Sequence, residues 1–317
     1  MNTKFFSTFF FLSLIFCSTL CEQQEKSTYD ILGYDSNISH IYHAPIYSTN
    51  QTAKTPVIGV LGTGEPVSQY ADKFDTEKTF TVTFSFPDTG LADLPTKNPI
   101  TIFKSLRSIN GGQLPDATIL LCTVIECYKK GHTKVHIFAN SRGGGATITM
   151  LEILSNPEQH TDVWKQLGIL DPEIQKSIRD MVAQGTIFLA HPILDHKKTI
   201  VQAVSHKGPK NTFLNKSVYW AMRTFLYCVT RFDHNHQMHI SMIEKNIDSA
   251  KWPYSITVAL AQPDEITGND YDQYLACLAE IYPEKLTVIA GGKNHSDIQA
   301  LIEFCHEQLS YNNSFAI

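Results

Sequence analysis

Residues 134–154 read KVHIFANSRGGGATITMLEIL, an apolar, partly β-branched run that passes through a few small and polar residues straight into a helical pattern. The first part, Lys134 to Asn140, has the length and composition of a buried strand. The second, Gly143 to Leu154, carries apolar side chains at helical spacing. A strand followed at once by a helix is the repeating unit of folds in which helices cover a mainly parallel sheet. The turn between them is cramped. Ser141 stands there with Ala139 and Gly143 two positions away on either side, and no other serine of the chain satisfies that small-x-Ser-x-small pattern between a strand and a helix. Small neighbours let the backbone bend sharply enough to push a serine hydroxyl out of the turn.

The same alternation runs through the rest of the chain. Strands are expected from Thr55 to Glu65, ending in glycines, from Thr79 to Phe86, stopped by Pro87, and from Gly185 to His191. Two more run from Ser255 to Ala261 and from Lys285 to Gly291. Helices are expected over Pro115 to Lys130, Glu158 to Leu167, Pro172 to Ala183, Asp272 to Glu280 and Ser296 to Leu309. Between Pro192 and about Pro253 the rhythm gives way to a polar stretch studded with aromatic residues, including the helical segment Ser217 to Val229, which reads as a helical cap inserted into the domain. The fold class is therefore α/β, a mainly parallel central sheet with helices on both faces. With 43% hydrophobic residues among 317, the chain can bury a large core. Its acidic side chains outnumber the basic ones, 31 to 26, and no Lys/Arg block is present, so nucleic acid is not an expected partner.

The N-terminus is set apart from this domain. Lys4, the apolar run Phe5 to Phe16 and the small-residue stretch that ends at Cys21 have the order of a secretory signal peptide over residues 1–21. Residues 22–317 are then the folded domain, with the insertion at about 192–253, in a secreted or periplasmic location. An uncleaved anchor is the alternative for the same segment. No later run reaches membrane length, so no stable span is expected after signal removal. Beyond Cys21 the cysteines are Cys122, Cys127, Cys228, Cys277 and Cys305, an odd number that leaves at least one free thiol. Cys122 and Cys127 lie in an apolar run and are expected to act as small buried hydrophobes.

Ligands of parallel sheets bind beyond the carboxyl ends of the strands. A serine there needs a base to take its proton and an acid to orient that base. The strand ending at Ala261 is followed by Asp264 and Glu265, and the strand ending at Gly291 by His295. Ser141, Asp264 and His295 stand in the chain order Ser, acid, His. With "ANSRGG", "QPDE" and "GGKNHSD" each at a strand end and in that order, the chain resembles the α/β-hydrolase superfamily over roughly Pro56 to Leu309. It departs from the common pattern at Ala139, where many members have glycine, and at "LGTGE", where many carry a histidine before the glycine.

The resemblance implies that Ser141 attacks an acyl carbonyl, His295 moves the proton and Asp264 holds the imidazole. Backbone N–H groups of Thr63 and Arg142 would form the oxyanion hole, and no metal or organic cofactor is called for. Each assignment has a competitor in the same sequence. Ser141 can be a helix N-cap, His191 is the rival histidine, and Glu265, Asp270 and Asp195 are rival acids. The Arg142 side chain can be merely solvated. Tyr219, Trp220, Phe225 and Tyr227 suit either an acyl pocket or ordinary core.

The expected function is that of a secreted serine hydrolase on a carboxylic ester, acylated lipid included, acting through a Ser-His-Asp triad and an acyl-enzyme. The alternative is a catalytically silent protein of the same fold that binds a small molecule or a partner. A dinucleotide-binding oxidoreductase is the third class, but "GVLGTGE" spaces its glycines G-x-x-G-x-G, the wrong order for a pyrophosphate loop. Oligomeric state is not legible.

Overall fold

The computed structural model describes residues 46–48, 54–62, 65, 69–84, 86, 114–195, 199, 217, 239–261, 264, 271–291 and 298–311. The expected signal peptide, residues 1–21, lies outside them, as does most of the expected cap.

The sheet is built from β1 (Ile46–Tyr47), β2 (Thr55–Val60), β3 (Thr79–Thr83), β4 (His136–Asn140), β5 (Ile187–Ala190), β6 (Ile256–Leu260) and β7 (Leu286–Ala290). Their order across the sheet is β1-β3-β2-β4-β5-β6-β7, seven strands among the described residues. Every pairing is parallel except that of β1, which runs antiparallel on the β3 edge with Ile46 opposite Thr83. The α/β class with a mainly parallel sheet is thus the observed one. Only β1 was not foreseen, because two residues carry no readable periodicity.

The helices among the described residues are α1 (Leu114–Lys129), α2 (Arg142–Ser155), α3 (Thr161–Gln166), α4 (Pro172–Ala183), α5 (His239–Ile247), α6 (Asp272–Ile281) and α7 (Gln299–Tyr311). Local chemistry sets their ends. Asp171 caps α4 by accepting from the Glu173 N–H at 2.9 Å, with Pro172 in the first turn. Gly131, at φ 86°, closes α1, its N–H donating to the Tyr128 carbonyl while that of His132 donates to the Cys127 carbonyl, a Schellman pair. The helix expected over Glu158 to Leu167 is instead a 3₁₀ turn, Pro157–Gln159, followed by α3. His160 between them, at φ −121° and ψ 32°, interrupts the helical ladder.

Strand alternation gives the sheet two packed faces. Ile58, Val60, Ile137, Ala139, Ile187, Leu189, Ile256 and Val258 belong to the larger core, which they share with side chains of α1, α2, α4 and α5. Val57, Phe138, Phe188 and Ala259 point the other way, against Tyr70, Phe74 and the α7 residues Leu301, Ile302 and Cys305. Helix α5 lies within the stretch expected as an insertion, yet Ile240, Ile243, Ile247, Trp252 and Tyr254 are all part of the larger core. The apolar side chains of α5, at helical spacing, turn one buried face to that core. Among the described residues, no helix is long and apolar enough to cross a membrane.

Cys127 and Cys305 are buried, Cys122 is half-buried and Cys277 exposed, all as free thiols. Burial pushes the Cys127 and Cys305 thiols up to about 12, which keeps them protonated and inert.

His136, at the start of β4, accepts the Thr186 N–H on Nδ1 at 2.9 Å and is held neutral. Burial, with a smaller contribution from Lys134, pushes its pKa down to about 4. The unfolded chain takes up that proton near pH 6.5, whereas the folded one resists until about 4. Its contribution is therefore complete above about pH 6.5 and is lost as pH falls towards about 4, by about 3 kcal/mol in total. His136→Gln should flatten the stability–pH curve over that window in urea titrations. Identical curves for the two proteins would refute the assignment.

Candidate active site

Ser141 links the last residue of β4 to the first of α2, at φ 50° and ψ −113°. A positive φ outside glycine is uncommon, and strain of this kind costs about 1–3 kcal/mol. The surroundings over-determine it. The Ser141 N–H donates to the Ala190 carbonyl at the end of β5 (2.8 Å), and its own carbonyl accepts from Gly144 (3.0 Å) and Ile193 (3.1 Å). Although Ser141 occupies the N-cap position of α2, its side chain makes no capping hydrogen bond. The helix-cap role that its position allows is not the one it plays.

The glycines that follow are needed for close approach. A Cβ on Gly143 would lie 2.5 Å from the Val60 carbonyl oxygen and 2.8 Å from that of Leu61, both backbone atoms that cannot swing aside. One on Gly144 would meet Pro192 Cβ at 2.5 Å, and one on Gly145 the His239 ring at 2.6 Å. Helix α2 is thereby drawn onto the end of β2, the segment after β5 and the start of α5 at once. Gly143→Ala should cost about 1–3 kcal/mol through overpacking. It should also spoil the turn geometry, so a variant as stable and as reactive at Ser141 as the wild type would refute this account.

Arg142 opens α2, and its side chain is not solvated. It is fully buried, with Nε 2.6 Å and Nη2 2.7 Å from the two carboxylate oxygens of Asp116 in the first turn of α1. The guanidinium carbon also lies 4.6 Å from the centre of the Phe86 ring. A planar fork on a carboxylate, with an aromatic face on one side, is the setting in which arginine tolerates burial. The solvated expectation fails because the side chain extends beneath the turn towards α1. No local signal marks the pair, whose members are 26 residues apart.

On the other side of the turn, Asn140 Nδ2 donates to Glu65 Oε1 at 2.6 Å. Glu65 Oε2 accepts from the Gly62 N–H at 2.5 Å and from the Tyr70 hydroxyl at 3.1 Å. Burial, and next the Glu65 charge, hold the Tyr70 phenol well above its ordinary range. Sequence reading passed over Glu65, since a lone acid after a glycine turn has no signature.

Of the candidate acids, Asp264 is buried just past β6 and Asp195 is buried on the segment after β5. Asp195 Oδ2 accepts from the Tyr271 hydroxyl at 2.8 Å, and its carbonyl accepts from Thr199. His191, the rival histidine, follows β5 at φ 45°, fully buried. Its ring fills the space beside Gly291, where an added Cβ would come within 2.7 Å of Cε1. His239 is a buried histidine that sequence reading did not single out. Its Nδ1 lies 2.6 Å from the Ile193 carbonyl, to which it donates, and Ile193 in turn donates to Ser141. Thr63, His295, Glu265 and Asp270 lie outside the described residues, as do Tyr219, Trp220, Phe225 and Tyr227.

A mainly parallel sheet covered on both faces, with a strained serine turn between a central strand and its helix, is the architecture of the α/β-hydrolase fold. No family model matches the chain, and no curated protein does. Solved structures do. An esterase of Pyrococcus furiosus is 11% identical with a TM-score of 0.46, covering 87% of this chain and 93% of its own. A lipase/esterase of Lactobacillus plantarum is 12% identical with a TM-score of 0.46, covering 84% and 89%. A predicted hydrolase of Thermoplasma acidophilum is 11% identical with a TM-score of 0.43, covering 84% and 90%. Likenesses at this level say nothing of what the chain acts on.

Proposed function

We propose that this protein is an exported serine hydrolase that cleaves carboxylic esters through an acyl-enzyme, with Ser141 as nucleophile, His295 as base and Asp264 as the acid that orients it. The observation that carries the reading is a serine held at φ 50° at the carboxyl end of a central strand, heading a helix it does not cap. A strained serine whose side chain makes no cap is kept for another purpose, and presenting a hydroxyl is the one such a turn serves.

In the first half-reaction the Ser141 oxygen bonds to the acyl carbon as its proton passes to His295. The tetrahedral oxyanion accepts from the N–H of Arg142 and from a donor of the 62–64 loop, Thr63 in our reading. The C–O bond to the alcohol then breaks, the alcohol leaving with the proton from His295. Water repeats the sequence on the acyl-enzyme, releasing the carboxylic acid and restoring the serine. One oxyanion donor is typically worth about 10²–10³ in turnover.

The test is exposure of the purified protein to a fluorophosphonate, followed by mass mapping of the adduct, alongside hydrolysis of a series of nitrophenyl esters from acetate to palmitate. A single adduct on Ser141 and turnover of some member of the series are expected. A folded protein that neither labels nor hydrolyses would instead be a binding member of this fold.

A further inference from the structure

The carboxylate of Glu65 gathers groups from three separate places in the chain. Oε2 takes the Gly62 N–H at the point where the chain leaves β2, Oε1 takes the side-chain amide of Asn140, and the Tyr70 hydroxyl donates to Oε2 from below. Tyr70 is itself packed in the core. Its ring is fully buried, stacked on Phe74 with centroids 6.4 Å apart and tilted against Phe138 at 5.8 Å. Asn140 is buried directly before Ser141, and its carbonyl oxygen Oδ1 has no hydrogen-bond partner among the described residues. Leaving a buried acceptor unpaired is costly, so the Asn140 amide is turned by its bond to the carboxylate.

From this convergence we infer that Glu65 is a positioning residue for acyl transfer, a clasp whose carboxylate sets the spacing between the loop beginning at Gly62 and the Ser141 turn. The inference rests on the serine-hydrolase reading for its catalytic consequence, though not for the clasp itself. Because Gly62 spends its N–H on Glu65, that N–H is not available to an oxyanion, and its task is to fix where the loop starts. A negative charge close to a developing oxyanion opposes it electrostatically, so the carboxylate is there for the convergence of donors rather than for its field. Glutamine can reproduce that convergence. Its amide oxygen can accept from Gly62 and Tyr70, and its NH₂ can meet the unpartnered Asn140 Oδ1 once that amide turns over. Alanine cannot.

Two measurements on the full chain test this, using Glu65→Ala, Glu65→Gln and Tyr70→Phe. The first is amide hydrogen exchange at Gly62, which does not depend on activity. Exchange should be slow in the wild type and in Glu65→Gln, and at least tenfold faster in Glu65→Ala. The second is the rate of fluorophosphonate labelling together with kcat and KM on the best ester. Glu65→Ala should label and turn over at least tenfold more slowly at unchanged KM, whereas Glu65→Gln should stay within about threefold of wild type. Should the alanine variant not fold, Tyr70→Phe keeps the ring and removes only the lower anchor, and should speed Gly62 exchange and slow labelling by a smaller factor. Unchanged Gly62 exchange in the folded variants overturns the clasp. Faster exchange with an unchanged labelling rate overturns its positioning role. If the wild type does not label at all while exchange responds as stated, the clasp stands and the hydrolase reading falls.

Discussion

Replacing Ser141 by alanine is expected to abolish fluorophosphonate labelling and to lower ester turnover by about 10⁴–10⁶, with the unfolding midpoint unchanged or slightly raised. The size follows from the role. A nucleophile that forms the covalent intermediate has no substitute within reach, and what remains without it is the stabilisation supplied by oxyanion donors and binding. The neutrality towards stability follows from the geometry. The hydroxyl makes no capping bond to α2, so its removal leaves the helix as it was. Ser141→Gly sharpens the test, because glycine accepts φ 50° without penalty and should stabilise the fold by about 1 kcal/mol while being equally inactive. An alanine variant that labels like the wild type would move the nucleophile elsewhere. A glycine variant that is less stable would mean that the turn is not strained.

Asp116→Ala should cost the fold about 3–5 kcal/mol. The carboxylate and the Arg142 guanidinium are both fully buried and joined by two short bonds. Removing one member leaves the other charge without its counter-ion in a medium that solvates it poorly. The loss should appear as a fall in melting temperature of about 5–15 °C. Activity should fall further than stability alone accounts for, because Arg142 is bonded directly to Ser141 and carries a proposed oxyanion donor. Replacing both partners, as Asp116→Leu with Arg142→Met, should recover most of the stability, since apolar side chains of similar volume need no counter-ion. A cost below about 1 kcal/mol for Asp116→Ala would show that the pair is hydrated in solution.

Much of the fold is legible in the sequence. The strand before Ser141, the helix after it and the strands ending near Val60, Ala190, Leu260 and Ala290 all announce themselves through local periodicity and turn residues. The small residues on either side of Ser141 likewise report a steric demand of the turn itself, and the clash that a Cβ on Gly143 would make with the end of β2 is its tertiary counterpart. The misses share a different character. The side chain of Arg142 had a merely solvated alternative and Glu65 and His239 were not singled out, yet each is engaged by a group 26, 75 or 46 residues away, respectively. Nothing within a window of one helix or one strand announces such a partner.

Sequence alone was therefore enough to establish most of the strands and helices and the position of the bent serine, because periodicity and side-chain size act over a few neighbouring residues. Which charge lies beneath that serine, which carboxylate ties Gly62 to Asn140, and on which face of the sheet α5 packs were decided only once β2, β4 and β5 lay side by side. Ion pairs and hydrogen bonds in a buried site depend on which distant segments the sheet order makes neighbours, and that order is a property of the whole chain.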